Sequence, residues 1–342
     1  MTKKEEKKGE KKMNKKKQKK NNVKSSILVL LLIAVLLIAS TYAWFTANTN
    51  VEISTLNVNV GAANGLQISA DGTNWKTVLT NDDIDPTSVS NNYADNKNQI
   101  PTVMEPVSST GEMATDGTMK MFLGKVTSAA TGELQLTASA LTDAKGAGDN
   151  AGKYIAFDVF LKVDEDSMLS LTKDSNVTVK TGETSKGLEN ATRTAFCVLG
   201  NTDSGATLDT IQKLNTEQRA SYIWEPNYDA HTTTGVANAK NNYQITTTSP
   251  LDTTALDYYG VKAAIDAPVA LNSKDATYFS KVTPAYKTKN TVEADVEMFQ
   301  LKAGITKVRI YMWVEGQDVD CENTASGSNI AFNVKFSIPA KQ

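Results

Sequence analysis

The chain has 342 residues, with 36 Lys and Arg, 38 Asp and Glu and a single His, for a formal net charge of −2. That balance conceals a split: residues 1–24 hold 12 Lys against three Glu, and the rest hold 24 Lys and Arg against 35 Asp and Glu, a net of −11. An acidic body lacks the basic surface that phosphate contact needs, which argues against nucleic-acid binding, and one His excludes a zinc-protease motif built on two.

Residues 1–24 have almost nothing to bury and read as a basic cytoplasmic tail. Residues 27–39, ILVLLLIAVLLIA, form an unbroken apolar run of 13, and counting on through Phe45 gives 19. The shorter count suits the core of a signal peptide; the longer one would just span a bilayer. Residues 25–45 are therefore a signal peptide or a membrane anchor. Thr41-Tyr42-Ala43 is a small-x-small site, so cleavage after Ala43 fits. Trp44 and Phe45 also suit the interfacial aromatics of a retained anchor. Either way the basic head places residues 46–342 outside the cell or at its surface.

Residues 46–60, TANTNVEISTLNVNV, alternate like a strand. Val51 and Ile53 share one face, and Leu56, Val58 and Val60 share a face after a phase slip at Ser54-Thr55, which predicts a bulge or bend. Asp71-Gly72 between two alternating runs predicts a two-residue hairpin. Residues 81–118 carry three prolines and read as a long irregular stretch. Residues 119–141 predict two strands around Ala130-Thr131-Gly132. YIAFDVFLKV at 154–163 is the clearest core strand, followed by two strands in 168–180 and one at 191–199. Leu208, Ile211 and Leu214, spaced three apart, predict one short helix. A polar insertion spans about 201–290, its part after residue 226 rich in Thr and Asn. Three strands follow. In 292–301, Val292, Ala294, Val296, Met298 and Gln300 share a face. In 305–315, Ile305, Lys307, Arg309, Tyr311 and Trp313 share one face, and Val308, Ile310, Met312 and Val314 the other. Ile330, Phe332, Val334, Phe336 and Ile338 alternate in the last. Many short strands between turn clusters predict a mostly β, antiparallel β-sandwich.

Chemistry has few footholds. A catalytic triad would need His231, which sits in the polar stretch WEPNYDAHTTTG, and no Gly-x-Ser-x-Gly occurs. The acidic clusters Asp82, Asp83, Asp85 and Glu315, Asp318, Asp320, Glu322 lack EF-hand spacing and read as solvated loops. Glu225, Asp229 and His231 are a further metal candidate. No catalytic residue, metal or cofactor is assigned. Cys197 and Cys321 would lie in an oxidising compartment and form a candidate disulfide; the alternative is a buried Cys197 and a loop thiol at Cys321.

Residues 41–61, TYAWFTANTNVEISTLNVNVG, resemble the start of the TasA/camelysin-like surface proteins of Gram-positive bacteria. The match rests on Thr41, Tyr42, Ala43 and Phe45 and on Asn57-Val58-Asn59-Val60-Gly61. The RIYMWVEG…FNVKFSI ending is similar in character. The resemblance implies export through a SipW-type signal peptidase and a β-sandwich of jelly-roll type. It also implies self-association into extracellular biofilm-matrix fibres, the N-terminal strand of one subunit completing the sheet of the next. Thr41, Ala43, Trp44 and Phe45 would then serve processing, and Val51, Ile53, Leu56, Val58 and Val60 subunit contact. This chain departs from the pattern in its long basic head and in Trp44, which disfavours cleavage directly before Phe45. It also lacks the ligands of a metalloprotease. The alternative is a membrane-anchored adhesin or glycan-binding module, with Trp224 and Tyr228 stacking on sugars.

Overall fold

The computed structural model describes residues 51–340 except 62–64, 89–90, 92, 217–218 and 292–293. The basic head, the apolar run and the processing residues Thr41, Ala43, Trp44 and Phe45 lie outside the described residues. Among the described residues no helix is long and apolar enough to cross a membrane.

In chain order the strands are β1 (Val51–Val60), β2 (Gln67–Ser69), β3 (Val78–Leu79), β4 (Gln99–Ile100), β5 (Val103–Met104), β6 (Val107–Ser108), β7 (Met121–Ser128), β8 (Leu134–Leu141), β9 (Gly146–Ala147), β10 (Ile155–Val163), β11 (Ser167–Leu171), β12 (Asn176–Val179) and β13 (Thr192–Thr202). They continue as β14 (Ala220–Glu225), β15 (Tyr258–Val261), β16 (Ile265–Ala270), β17 (Phe279–Val282), β18 (Tyr286–Lys287), β19 (Val296–Leu301), β20 (Gly304–Val314) and β21 (Asn329–Ser337). The helices are α1 (Asn81–Ile84), α2 (Leu208–Gln212) and α3 (Thr233–Asn241); only α2 was expected.

The fold is mostly β and sandwich-like. One sheet runs β19-β11-β21-β1-β3, with β12 also on β21 and β5 on β1; the other runs β18-β14-β13-β20-β10-β4-β9, with β2 on β10. The alternating apolar residues of both meet between them. Val58, Val334 and Phe332 of the first sheet pack with Phe157, Ile310 and Met312 of the second. Phe196 on β13 and Phe336 on β21 meet edge to face with ring centroids 5.5 Å apart, an arrangement aromatic quadrupoles favour. Most pairings are antiparallel, but β1–β21, β14–β18 and β4–β9 are parallel.

The other face of the second sheet is also covered. A four-stranded sheet β16-β8-β7-β6 and the pair β15-β17 bring Met121, Val107, Tyr258 and Val282 against Tyr154, Ala195, Tyr311 and Trp313. The polar insertion therefore supplies part of this third layer. With both faces covered, all eleven residues of β20 are buried, as in a doubly covered sheet.

Three local expectations change. The Asp71-Gly72 turn is wider than two residues: Ile68 pairs with Lys76, because Asp71 Oδ1 accepts from the Thr73 and Asn74 amides at 2.7 and 2.8 Å and holds the chain in a side-chain-closed loop. In β19 a register irregularity opposite Met168 and Ser170 shifts the phase, so Phe299 and Leu301 are buried and Gln300 is exposed. Cys197 and Cys321 are not bonded to each other. Both are free and buried, Cys197 in the cluster under the third layer and Cys321 in the sandwich core, on opposite sides of the second sheet. Burial pushes the Cys197 thiol up to about 12.

Candidate functional site

Residues with chemical or binding potential fall in two places, the β1 seam and the charged layer behind β20.

β1 pairs with the last strand, β21, in parallel over eight positions, from Glu52 opposite Asn329 to Val60 opposite Phe336. The register slips between Ile53 and Thr55, where the sequence phase slips, so Ser54 is the extra residue. Its hydroxyl donates to the Ile330 carbonyl at 3.2 Å. The bulge lets two short apolar sets serve one core: Val51, Leu56, Val58 and Val60 are buried and Ile53 packs against them. On its other edge β1 pairs only at its ends, Val51 and Glu52 with β5 and Val58 and Asn59 with β3. Among the described residues no strand pairs with Ile53–Asn57 on that edge. The expected contact residues thus lie together on one strand, here within the chain's own sheet.

The outward face of β20 carries Lys307, Arg309, Tyr311 and Trp313 into the third layer. Arg309 donates to Asp158 at 2.9 Å and to Asp143 at 2.7 Å, and Lys307 lies 3.2 Å from Asp158. Burial opposes a charged Asp158, but Lys307 and Arg309 outweigh it and hold its pKa below the usual range. Tyr93, Tyr154 and Tyr311 close the cluster through hydrogen bonds to the same two carboxylates. Every strong donor here is matched, which is how a buried ion group becomes tolerable. The arrangement ties β20 to β10 and to the segment bearing Asp143.

A second cluster gathers at the loop after β20. Arg193, fully buried, donates to Glu225 at 2.7 Å and to Asp318 at 2.6 Å. Burial raises the Glu225 pKa, and Arg193 only partly offsets this. Glu315 is fully buried. It accepts from Trp313 Nε1 at 3.0 Å and from the Gln317 amide at 3.1 Å, and burial lifts its pKa to about 7 against those bonds. Asp320 meets His231, Nδ1 to Oδ2 at 2.6 Å, and accepts from the Thr232 amide at 2.9 Å. Burial pushes Asp320 up, and His231 opposes it.

These contacts decide several sequence candidates. His231 would lose basicity on burial, but the Asp320 hydrogen bond raises it to about 9. With Nε2 facing the Thr254 carbonyl at 3.0 Å, the ring is a doubly donating imidazolium at neutral pH. It has no lone pair to act as a base. Glu315, Asp318, Asp320 and Glu322 are buried, not solvated as their charge suggested. Glu225, Asp229 and His231 have separate partners, Arg193, the Asn290 amide and Asp320. Asp83 is tied to Lys76 and the Thr80 amide, and Asp85 to Thr87. Among the described residues no three His, Cys, Asp or Glu converge as a metal site. Trp224 cannot stack on a sugar: it is fully buried and donates to Thr288 Oγ1 at 3.0 Å. Tyr228 is half-buried. The sequence offered Glu225 only as a metal candidate and gave Arg193 no role; the two residues, 32 apart in the chain, come together on the paired strands β13 and β14. The signal for them was charge placed inside strongly apolar strands.

Family models, curated proteins and solved structures offer no match to this chain.

Proposed function

We propose that this chain is a non-enzymatic structural protein of the cell surface or extracellular matrix, a fibre subunit whose first strand passes between copies. One observation carries the reading. β1 enters the core with Val51, Leu56, Val58 and Val60 buried, yet only β21 holds it along its length, and its opposite edge is paired only at its ends. Such a strand contributes its own hydrogen-bond ladder and side chains as a unit, so the same strand from a neighbouring copy would fill the same place. Burying its four aliphatic side chains stabilises the sheet by about 6–12 kcal/mol before ordering costs, enough to join subunits. The sandwich on this reading is of jelly-roll type, and residues 25–45 direct export through a SipW-type peptidase, with cleavage after Ala43.

The test removes residues 46–60 and supplies them in trans as a peptide. The expected result is fibres from the mature chain by electron microscopy, none from the shortened chain, and binding of the peptide by that chain. Fibres from the shortened chain, or no uptake of the peptide, would overturn the reading. Mapping the N-terminus separately in medium and membrane tests export: a start at Trp44 in the medium is expected. A Met1 start confined to the membrane would favour the tethered adhesin.

A further inference from the structure

Glu315, the residue after β20, stands where three strands from two layers meet. It is fully buried and lies beside Val107 of β6 in an isolated parallel bridge, with the Gly316 amide donating to the Val107 carbonyl at 2.9 Å. Its carboxylate accepts from Trp313 Nε1 at 3.0 Å, from the Gln317 amide at 3.1 Å and from the Ser109 amide at 3.3 Å, and from the Ser108 hydroxyl. The same two serines hold β15. The Val261 amide donates to Ser108 Oγ at 3.0 Å, and the Tyr258 hydroxyl to the Ser109 carbonyl at 3.2 Å. One carboxylate therefore gathers the end of β20, β6 and, through β6, β15 of the third layer.

Its charge environment sets Glu315 apart. Asp158 is paired with Lys307 and Arg309, Glu225 and Asp318 with Arg193, and Asp320 with His231. Among the described residues no Lys, Arg or His forms an ion pair with Glu315, whose partners are all uncharged donors. Arg193 of β13 acts on it only from a distance and is engaged by Asp318 and by Glu225 of β14. Tyr258 of β15, Tyr243 from the segment after α3, and Cys321 and Asp318 of its own loop also face it. Burial holds both phenols and the thiol well above their usual ranges, so none of the three changes charge near neutrality. A fully buried carboxyl without a countercharge favours its protonated form, and here burial lifts the pKa to about 7. We infer that Glu315 is a pH-sensitive latch: its neutral form keeps the joint of β6, β15 and β20 closed and dry, and its ionisation loosens the third layer from the second sheet. A carboxyl raised in this way contributes stability that is full below its unfolded pKa and is lost as pH rises through the folded one. The latch works within one chain and does not depend on the matrix-subunit reading.

The test follows amide hydrogen exchange of the full chain at pH 5 and pH 7, with the intrinsic pH dependence of exchange divided out. Peptides covering β6 and β15 are expected to lose protection at least about tenfold at the higher pH, while peptides covering β1 and β21 keep theirs, because the opening is local. Glu315→Gln, which cannot ionise, should remove most of that difference. A second measurement needs no variant. The Trp313 indole N–H, which donates to Glu315, should shift in NMR spectra with a midpoint at about 7. Equal protection of β6 and β15 at both pH values, an equal loss in β1 and β21, or a difference undiminished in Glu315→Gln would each overturn the inference. An indole signal that does not titrate, or that titrates in the ordinary glutamate range, would overturn it too. Fibre formation reads the matrix proposal separately, so either can fail alone.

Discussion

His231 and Asp320, 89 residues apart in sequence, are joined Nδ1 to Oδ2 at 2.6 Å, and this pair fastens the start of α3 to the loop that follows β20. The folded His231 pKa is raised from 6.5 to about 9. A histidine raised in this way contributes stability that is full below its unfolded pKa and is lost as pH rises through the folded one. Urea denaturation should therefore show stability falling between pH 6.5 and about 9. His231→Gln should remove that part of the slope and lower stability at pH 6 by about 3 kcal/mol. A variant that keeps the slope would assign it to another group.

The same junction reverses the usual sign of a glycine substitution. Replacing Gly by Ala inside a helix ordinarily stabilises by about 1 kcal/mol. Gly235 lies in α3, and a Cβ there would overlap Asp320 Oδ1. Gly235→Ala is expected to lower the melting temperature, and Gly235→Ala combined with Asp320→Ala to be less destabilised than the sum of the two single changes. Additive losses would mean that the two positions do not meet.

Arg193 neutralises two buried carboxylates at once, Glu225 and Asp318. Removing it leaves both charges buried, the situation that costs about 3–5 kcal/mol. Arg193→Met should therefore be severely destabilised in chemical denaturation. Arg193→Met with Glu225→Gln and Asp318→Asn should recover part of the loss. A mild effect of the single change would show that water reaches the cluster.

Particular residues show how far the sequence could be read. The strands β10, β20 and β21 were legible because their apolar residues alternate, and Ser54 because the alternation slips there. Burial of Lys307 and Arg309 was not legible. Alternation tells which residues share a face, but the third layer that covers this face comes from segments distant in the chain. One of these, β16, carries Pro268 and a register irregularity against β8, features confined to edge strands and bulges, and its composition looks like a loop. α3 was hidden for a similar reason: Thr and Asn are poor helix formers, and its start is fixed by Thr232, which accepts from the Gly235 amide at 2.8 Å, and by Asp320. Within the candidate sites, the strand bearing Val51 to Val60 was visible, whereas the cluster of Arg193, Glu225 and Asp318 exists only once three separate segments converge.

The Ser54 bulge offers the sharpest test of the β1 seam. Ser54 is the extra residue between Ile53, opposite Ile330, and Thr55, opposite Ala331. Deleting it leaves Ile53 and Leu56 two positions apart, so Val51, Ile53, Leu56, Val58 and Val60 alternate without a break and keep both the core face and the register against β21. The deletion should therefore shift the urea midpoint little. Inserting one residue between Asn57 and Val58 instead turns Val58 and Val60, or else Val51, Ile53 and Leu56, to the opposite face, and the smaller set is worth about 3–6 kcal/mol. Ser54→Ala keeps the residue count and loses only the hydroxyl's bond to the Ile330 carbonyl, a loss of about 1 kcal/mol or less. A Ser54 deletion as costly as the insertion would mean that β1 is not held in this register.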